Sequence, residues 1–524
     1  MKAAIVGSGL AGISCAKALV AHGIRPVIFD VGEALDPERQ RRVDALAGVD
    51  PAGWSPADVR ALQPASVSPR SIPPKLAFGS DFIYGRKRLH SPLTATPGTI
   101  PSTYARGGYS TVWGAAVLPA SDDDTAGWPI RRADLQSHYR AVLADTPFSA
   151  IEDALAEPFP LFGTPTGLVE STLQGATVLS RAAHSADQLR RAGIWIGRAR
   201  LMVDAGPGLR SCTPCGLCLT GCPRGAIYAA SDDLHTLQAR AQVHYQAGAV
   251  VQRVVEDAGG VDLQWTDVAS GANRQQSFDR VFLAAGALNT TRIVLRSLDA
   301  FDRAVTLRDS QKFFTPFRLH RRVRGAFGDR RNSLANAFLE LRDGDAGHWV
   351  HFQLSPHNVL VDLALRLNDG KVGALRRMLL APVVERLMYL WGSLHSDQSG
   401  SLSATLRRSG SLEVVAKANP EGHAAARRAL GRIREQRHAL GGSPIGTLMR
   451  VSAVGGGGHY GGSLPMTGTR GGRGSLDADL LGRPGPFARV HCVDASVLPS
   501  VPATTIALTV MANAHRIGAA SALL

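Results

Sequence analysis

The first thirty residues contain the pattern that restricts the fold most. Ala3–Val6 has the character of a short buried strand, and it runs into the turn Gly7-Ser8-Gly9-Leu10-Ala11-Gly12 and an apolar helical stretch to Ala21. In such a unit the glycines allow a tight turn, close approach of backbone to a pyrophosphate, and close packing of helix on strand. A second strand, 25–29, ends in Asp30, where a carboxylate can accept hydrogen bonds from a ribose. The unit predicts a Rossmann-like α/β domain, and alone it does not distinguish FAD from a nicotinamide.

Later segments carry further motifs in a fixed order. They read RGGYSTVWG at 106–114, VFLAAGALN at 281–289, HYGGSLPM at 459–466 and VDASVLP at 493–499. Together they resemble the glucose-methanol-choline (GMC) oxidoreductases, an FAD-dependent family, and most closely its pyranose-oxidase-like branch. Val112 falls where that branch can carry a histidine bonded to the flavin, so the resemblance implies noncovalent FAD. It also implies a GMC-type FAD-binding domain interleaved with an α+β substrate domain on an antiparallel sheet.

The glycine turn and the resemblance together assign the residues expected at FAD. The assignment has a simpler alternative at each position, since glycine pairs also form plain turns and Asp494 could be a loop cap. The expected cofactor-binding residues are Gly7, Gly9, Leu10, Ala11, Gly12, Asp30, Gly107, Gly108, Ser110, Trp113, Gly286 and Asp494.

His459 is the predicted catalytic base. Removal of hydride from a carbinol carbon requires a group that takes the hydroxyl proton, and neutral imidazole is suited to this near neutral pH. The family normally has a second histidine or asparagine near the substrate hydroxyl, and that position corresponds here to Thr505, or to Thr504 in a register shifted by one. A threonine hydroxyl forms hydrogen bonds but does not carry a proton near neutral pH. The departure leaves hydride transfer to FAD as the expected chemistry and the substrate open.

Four of the six cysteines lie close together, as Cys212, Cys215, Cys218 and Cys222 followed by Pro223. The spacing C-x2-C-x2-C-x3-C-P is that of bacterial ferredoxins, in which thiolates hold an iron-sulfur cluster. A zinc site and disulfides are the alternatives, because C-x2-C pairs also suit tetrahedral zinc. The run therefore predicts a metal centre, with iron and sulfide favoured.

The same segment resembles bacterial FAD-dependent glucose dehydrogenases that carry a three-iron cluster on C-x5-C-x3-C-P. Cys212, Cys218 and Cys222 occupy those positions, and Cys215 is additional. The extra thiol favours a 4Fe-4S cluster and leaves a 3Fe-4S cluster as the alternative. A cluster beside a flavin favours a dehydrogenase that passes single electrons to an acceptor such as a cytochrome, a ferredoxin or a quinone-linked protein.

The remaining sequence suggests how the domains are divided. Residues 1–310 and 446–524 are expected to form a discontinuous FAD-binding domain, which includes an excursion at 34–100 and the iron-sulfur loop at 211–224. Residues 311–445 are expected to form the substrate domain, with strands near 313–319, 337–341, 349–354 and 412–416 and a helix over 420–440. The stretch 373–394 is interpreted either as an interfacial membrane or docking helix or, preferentially, as a buried helix kinked at Pro382.

The composition excludes some classes of function. The net charge is +15, but only seven of the 58 cationic residues are lysine and the arginines are scattered, which argues against nucleic acid as a partner. A basic surface still suits a cytochrome, an anionic substrate or a peripheral membrane contact. The N-terminal apolar stretch is better explained by the nucleotide unit than by a signal peptide, which favours the cytoplasm, although relatives can be exported to the periplasm with a partner.

The sequence thus predicts an enzyme that oxidises a hydroxyl group of a sugar or polyol through FAD and an iron-sulfur cluster. Two other functions remain open: a redox-neutral isomerase or epimerase with a structural cluster, and an inactive electron-transfer subunit.

Overall fold

The computed structural model describes residues 1–64, 75–85, 92–97, 100–344, 347–469 and 474–524. The remaining parts of the predicted excursion, 65–74, 86–91 and 98–99, lie outside the described residues.

The N-terminal unit forms the centre of a five-stranded parallel sheet, called the nucleotide sheet. Ala3–Val6 is its middle strand, and the helix Leu10–Ala21 follows the glycine turn as predicted. The second strand is shorter than expected, Val27–Phe29. All pairings are parallel, and the strand order is Val490–Cys492, Arg280–Leu283, Ala3–Val6, Val27–Phe29, His244–Gln246. The sheet therefore joins residues from both ends of the chain.

A second five-stranded sheet, called the flanking sheet, packs against one side of the nucleotide sheet. Its apolar side chains share a core with those of the nucleotide sheet, for example Leu307 and Leu402 with Leu283. Neighbouring strands are antiparallel except for the last pair, and the order is Tyr460–Gly461, Ala304–Asp309, Ser401–Leu406, Leu412–Lys417, Leu93–Thr96.

The largest sheet has seven strands and is antiparallel throughout. Its order is Gly442–Pro444, Lys312–Leu319, Leu387–Leu394, Trp349–Ser355, Ala337–Arg342, Ile194–Arg198, and Arg450–Val451 also pairs with Lys312–Leu319. Three of the predicted substrate-domain strands lie in it. The assignment of 412–416 to the same sheet is wrong, because Leu412–Lys417 pairs with Ser401–Leu406 in the flanking sheet.

A separate antiparallel meander comprises Ala249–Glu256, Val261–Asp267 and Asn273–Phe278. The α-helices beyond Leu10–Ala21 are mostly short and lie between the strands. They are Pro37–Ala47, Pro56–Ala61, Phe82–Gly85, Asp122–Thr125, Arg132–Ala144, Leu173–Ala183, Ala186–Arg191, Ala230–Ala239, Ala287–Ser297, Val359–Ala364, Gly370–Val384, Pro420–Glu435, Arg437–Leu440 and Ala507–Ala522.

The predicted helix at 420–440 is confirmed with one interruption. The Asn419 side chain accepts the backbone N–H of Glu421 at 3.0 Å, and Gly441 ends the second segment in the left-handed conformation, with φ of +67°. An asparagine N-cap and a glycine after the last turn satisfy backbone groups that a helix leaves unpaired.

The prediction of one buried helix over 373–394 is wrong. The helix Gly370–Val384 contains Pro382 and ends two residues later, and Leu387–Leu394 is a strand of the seven-stranded sheet. Alternating side chains of this strand, such as Met388 and Leu390, are buried, which is the period of a strand and not of a helix. Among the described residues, no helix is long and apolar enough to cross a membrane.

Candidate functional site

The two glycine-rich segments meet at the end of the nucleotide sheet. Gly9 and Gly108 are in backbone contact, since a Cβ added to Gly108 would lie 3.2 Å from the Cα of Gly9. The N–H of Gly107 donates to the Ser8 hydroxyl at 2.9 Å, and that hydroxyl donates to the carboxylate of Asp30. The structure therefore brings the residues predicted from the first motif together with those predicted from the second.

The turn itself has room for little except glycine. Gly7 has a φ of +102°, and a Cβ there would lie 2.4 Å from the carbonyl oxygen of Ala284. A Cβ at Gly12 would lie 2.0 Å from the carbonyl oxygen of Gly7. Leu10 and Ala11 begin the helix, and its N-cap, Gly9, has no side chain to accept hydrogen bonds from the first turn, so first-turn N–H groups remain available for an anion.

The Asp30 carboxyl is buried and is also approached by the hydroxyl of Tyr245 at 3.4 Å. Burial raises its pKa to about 6, against the opposing effect of the Ser8 hydrogen bond. Contact with a ribose is an additional role that stays a prediction.

Ser110 and Trp113 connect the glycine-rich loop to the segment after the cysteines. The Ser110 hydroxyl accepts the backbone N–H of Ala230 at 2.8 Å. The indole N–H of Trp113 donates to the carbonyl of Tyr228 at 2.8 Å, and the two rings meet edge to face with centroids 6.3 Å apart. The segment that follows the cysteines is therefore hydrogen-bonded to the glycine-rich loop that is predicted to hold the flavin.

Gly286 and Asp494 contact each other, although 208 residues separate them. The Gly286 N–H and the Thr290 hydroxyl donate to one Asp494 oxygen at 2.8 and 2.5 Å, and the other oxygen caps the turn at Ser496. Asp494 is therefore a cap, the simpler of the two expected roles, and a contact with the flavin chain remains a prediction.

His459 lies at the junction between the flanking sheet and the seven-stranded sheet. Its carbonyl accepts the N–H of Ser310 at 2.9 Å, in the short link between Ala304–Asp309 and Lys312–Leu319. This link places Asp309 at the end of one sheet and Lys312 at the start of the other. The Lys312 stem packs against Gly457, where a Cβ would lie 3.0 Å from Cγ. The glycine run before His459 thus makes room for the lysine.

The junction concentrates buried charge around the histidine. Burial, the Lys312 ammonium and His351 hold the pKa of His459 well below its usual value, so the imidazole is neutral at neutral pH. Burial lowers the pKa of Lys312 to about 8 despite the nearby Asp309 carboxylate. Burial raises the pKa of Asp309 to about 6, although its carboxylate accepts the Gly455 N–H at 2.7 Å. The Nδ1 atom of His459 is buried and has no hydrogen-bond partner among the described residues.

Motif-based reasoning missed most of these residues. Lys312, Asp309 and the buried cross-strand pair His351 and Glu340, whose Nδ1 and Oε1 atoms are 2.6 Å apart, belong to no motif identified in the sequence. Isolated charged residues inside otherwise apolar strands were the available signal, because burial of a charge requires a partner or a function.

Thr505 has a structural hydrogen bond. Its hydroxyl oxygen accepts the N–H of Leu118 at 3.0 Å and anchors the chain that follows the glycine-rich loop. Thr504 is also buried.

All four predicted cysteine ligands line one cavity. The cavity is small, with about 20 Å³ of space open to a water-sized sphere, and apolar residues such as Val203, Ala226 and Leu334 form much of the remaining wall. The thiols carry no disulfide. Burial and the neighbouring thiols raise the pKa of Cys212 and of Cys215 to about 12, and that of Cys222 is raised for the same reasons.

Among the described residues, the group of three possible metal-ligand atoms that all lie within 4.8 Å of one another is His348, His395 and Asp397. The four cysteines are neighbours around a shared cavity and do not form such a preformed three-ligand group.

Lys75 interacts electrostatically with a residue of each predicted site. Its Nζ atom would be 3.7 Å from a Cβ on Gly114, at the end of the glycine-rich loop. Burial lowers the pKa of Lys75 to about 8, and the charges of Cys218 and Lys312 also act on it. The two predicted sites are therefore electrostatic neighbours.

A parallel sheet that ends on glycine turns lies beside a second region built on an antiparallel sheet, which defines a two-part mixed α/β fold. Among solved structures, pyridoxine 4-oxidase from Mesorbium loti is similar, with a TM-score of 0.60 and 15% sequence identity over 99% of this chain and 98% of that chain. No protein family profile matches the chain, and no curated protein matches it by sequence. The comparison confirms the predicted fold class.

Proposed function

We propose that this chain is an FAD-dependent dehydrogenase that oxidises a hydroxyl group of a sugar or related alcohol and passes single electrons through an iron-sulfur cluster. The observation that carries the proposal is the hydrogen bond from Trp113 of the glycine-rich loop to the carbonyl of Tyr228. Tyr228 directly follows Ile227, which lines the cavity together with the four cysteines. The electrons would leave to a cytochrome, a ferredoxin or a quinone-linked protein.

The chain offers a cradle that suits FAD. A backbone-only surface at Gly7, Gly9 and Gly108 lets a nucleotide approach closely, and the helix that begins at Leu10 directs N–H groups toward its phosphates. Asp30 and Asp494 provide carboxylates at the two sides of the central strands. At Val112 there is no nucleophilic atom, so FAD would be held without a covalent bond.

The cysteine cavity offers the donor set of an iron-sulfur centre. Its four thiols sit in an apolar wall and follow the spacing of the bacterial ferredoxin run, in which thiolates bind the irons of a cluster. Cys215 lines the cavity along with the other three, which supports a 4Fe-4S cluster over a 3Fe-4S cluster.

Bound FAD supplies a two-electron acceptor for hydride, and a cluster supplies transfer of single electrons. The chain itself handles the proton. Neutral His459 can accept it from the substrate hydroxyl, but an imidazole with a depressed pKa is a weak base. The ammonium of Lys312 offsets the weak basicity of His459, because a nearby cation stabilises the negative charge that develops on the substrate oxygen. The Thr505 hydroxyl accepts a hydrogen bond from the Leu118 N–H, so in this proposal it fixes the local chain and does not carry the proton.

The structural neighbour is named as an oxidase that acts on pyridoxine. Its low identity shows the fold alone, and the cysteine cavity favours an acceptor other than oxygen here. Molecular oxygen and pyridoxine nevertheless belong in the first assays as comparison acceptor and substrate.

The deciding measurement is an iron and acid-labile sulfide assay with an EPR spectrum on anaerobically purified protein. Iron and sulfide in similar amounts, with a cluster signal, would support the proposal. Zinc, or no metal in protein that still binds FAD, would refute the relay.

Anaerobic titration with candidate sugars and alcohols tests the direction of electron flow. The proposal expects flavin bleaching followed by cluster reduction. Turnover without an external acceptor would instead identify an isomerase, and absence of bleaching with every hydroxyl compound would identify an electron-transfer subunit.

A further inference from the structure

The helix Gly370–Val384 exposes an unusual amount of apolar surface. Five large aliphatic side chains are more than half exposed: Val372 at 58%, Leu375 at 54%, Met378 at 65%, Leu379 at 65% and Val383 at 52%. No other α-helix of the described residues carries an exposed large hydrophobic side chain. Single exposed apolar residues are normal on a protein surface, whereas a contiguous group marks an interaction site.

The exposed residues form one stripe. Val372, Leu375, Leu379 and Val383 recur at intervals of three and four, so the helical period of 3.6 residues places them on one side. On the other side, Leu380 and Val384 pack in a small cluster with Phe327 and Leu367. The inner face thus holds the helix on the protein, and the outer face has no cover within the described residues. We call the outer face the apolar stripe.

Cationic side chains border the apolar stripe. Lys371, Arg376 and Arg386 are exposed or half-exposed within or just after the helix. The acidic residue at the helix end, Glu385, is turned inward, where it binds Arg322 and accepts the N–H of Gly325 at 2.8 Å. At the start of the helix the exposed Asp369 is paired with Arg366, so the rim presents a net positive charge, which favours an anionic covering surface.

A lipid surface fits this combination better than a protein. Protein interfaces rely on aromatic or arginine anchors that fill pockets. The stripe is instead convex, aliphatic and without aromatic residues, and acyl chains can accept any aliphatic side chain. Exposed leucines with lysine and arginine beside them are the composition of helices that lie in the plane of a membrane interface.

The helix also lies next to the cysteine loop. Asn368, two residues before the helix, lines one open groove together with Cys215 and Leu217. Cys215 lines the inner cysteine cavity as well. Contact through the stripe would therefore bring the outer side of the cysteine loop close to the covering surface.

We propose that the helix Gly370–Val384 binds the protein peripherally to an anionic lipid surface, with the cysteine loop beside the contact. This goes beyond the proposed function and does not require it, because binding is measured without turnover.

The test is co-sedimentation of the purified holoprotein with vesicles of phosphatidylcholine, with and without phosphatidylglycerol. Binding is expected only to the anionic vesicles, and it should weaken as salt is added. The double variant Leu375→Glu/Leu379→Glu should lose at least about tenfold in partitioning, since each leucine would no longer be buried among acyl chains. Lys371→Gln should weaken binding about fivefold, because one cation near the surface is lost.

Val268→Glu is the matched control, because Val268 is an exposed aliphatic residue of the turn after Val261–Asp267. It should bind vesicles like the wild type, and all variants should keep their flavin and iron content. No binding to anionic vesicles would overturn the proposal. Wild-type dimers that Leu375→Glu/Leu379→Glu converts to monomers, without vesicle binding, would assign the stripe to self-association instead.

Discussion

The cysteine loop and the histidine junction are assembled in opposite ways. The four thiols come from a single stretch of eleven residues, Cys212 to Cys222, and line one cavity. The junction combines His459 with the neighbouring pair Asp309 and Lys312 and with His351, so it is built from three separate stretches of the chain. A local site can be identified from its spacing, whereas an assembled site appears in the sequence only as separate charged residues. The two sites should consequently respond to different substitutions.

The largest effect is expected at the junction. His459→Ala should slow substrate-dependent flavin bleaching by about 100- to 10,000-fold, because the proton acceptor is removed while both cofactor sites stay intact. Stopped-flow measurement of flavin reduction checks this. His184→Ala, at an exposed histidine, is the control and should behave like the wild type. Unchanged bleaching in His459→Ala would remove the histidine from the mechanism.

Substitutions in the cysteine loop should impair electron transfer to the acceptor and not the reduction of the flavin. Cys218→Ser with Cys222→Ser should abolish cluster-associated iron and turnover with a one-electron acceptor, while substrate still bleaches the flavin. Cys15→Ala, at a buried cysteine in the first helix, should keep its iron. Full iron content in the double variant would mean that these thiols are not ligands, and loss of bleaching would mean that the two regions are not separable.

Lys312 should have an intermediate effect with a characteristic pH dependence. Its pKa is lowered to about 8, so the ammonium is present below that pH and is lost as the pH rises through it. The rate of flavin reduction in the wild type should therefore fall above about pH 8. Lys312→Met should reduce the rate about tenfold or more and remove this alkaline limb. If Lys312→Met kept the same fall in the rate of flavin reduction at alkaline pH, a different group would be responsible for it.

The smallest effect should come from Cys215. If the cluster has four irons, Cys215→Ser should convert it to a three-iron form, with the EPR signal of that form and about one iron fewer per chain. Flavin reduction by substrate should stay at the wild-type rate. A spectrum identical to the wild type would show that Cys215 lies beside the cluster without binding it.

The sequence alone determined the features that depend on neighbouring residues. Gly7 and Gly12 predicted the turn, and a side chain at either would collide with Ala284 or with the turn itself. The cysteine spacing predicted a shared site because four thiols within eleven consecutive residues match the ferredoxin run. Asn419 and Gly441 marked helix ends through hydrogen bonds and backbone conformations that are also local.

Only the tertiary structure decided the features that depend on distant contacts. The sequence placed 412–416 in the wrong sheet because a strand pattern does not specify its partner. It favoured burial of the helix Gly370–Val384, since an apolar helix has the same pattern whether its outer face meets a core or a lipid surface. Lys312 and Asp309 became part of the site only when two sheets joined beside His459, because long-range packing sets the burial and neighbours that give their charges a function.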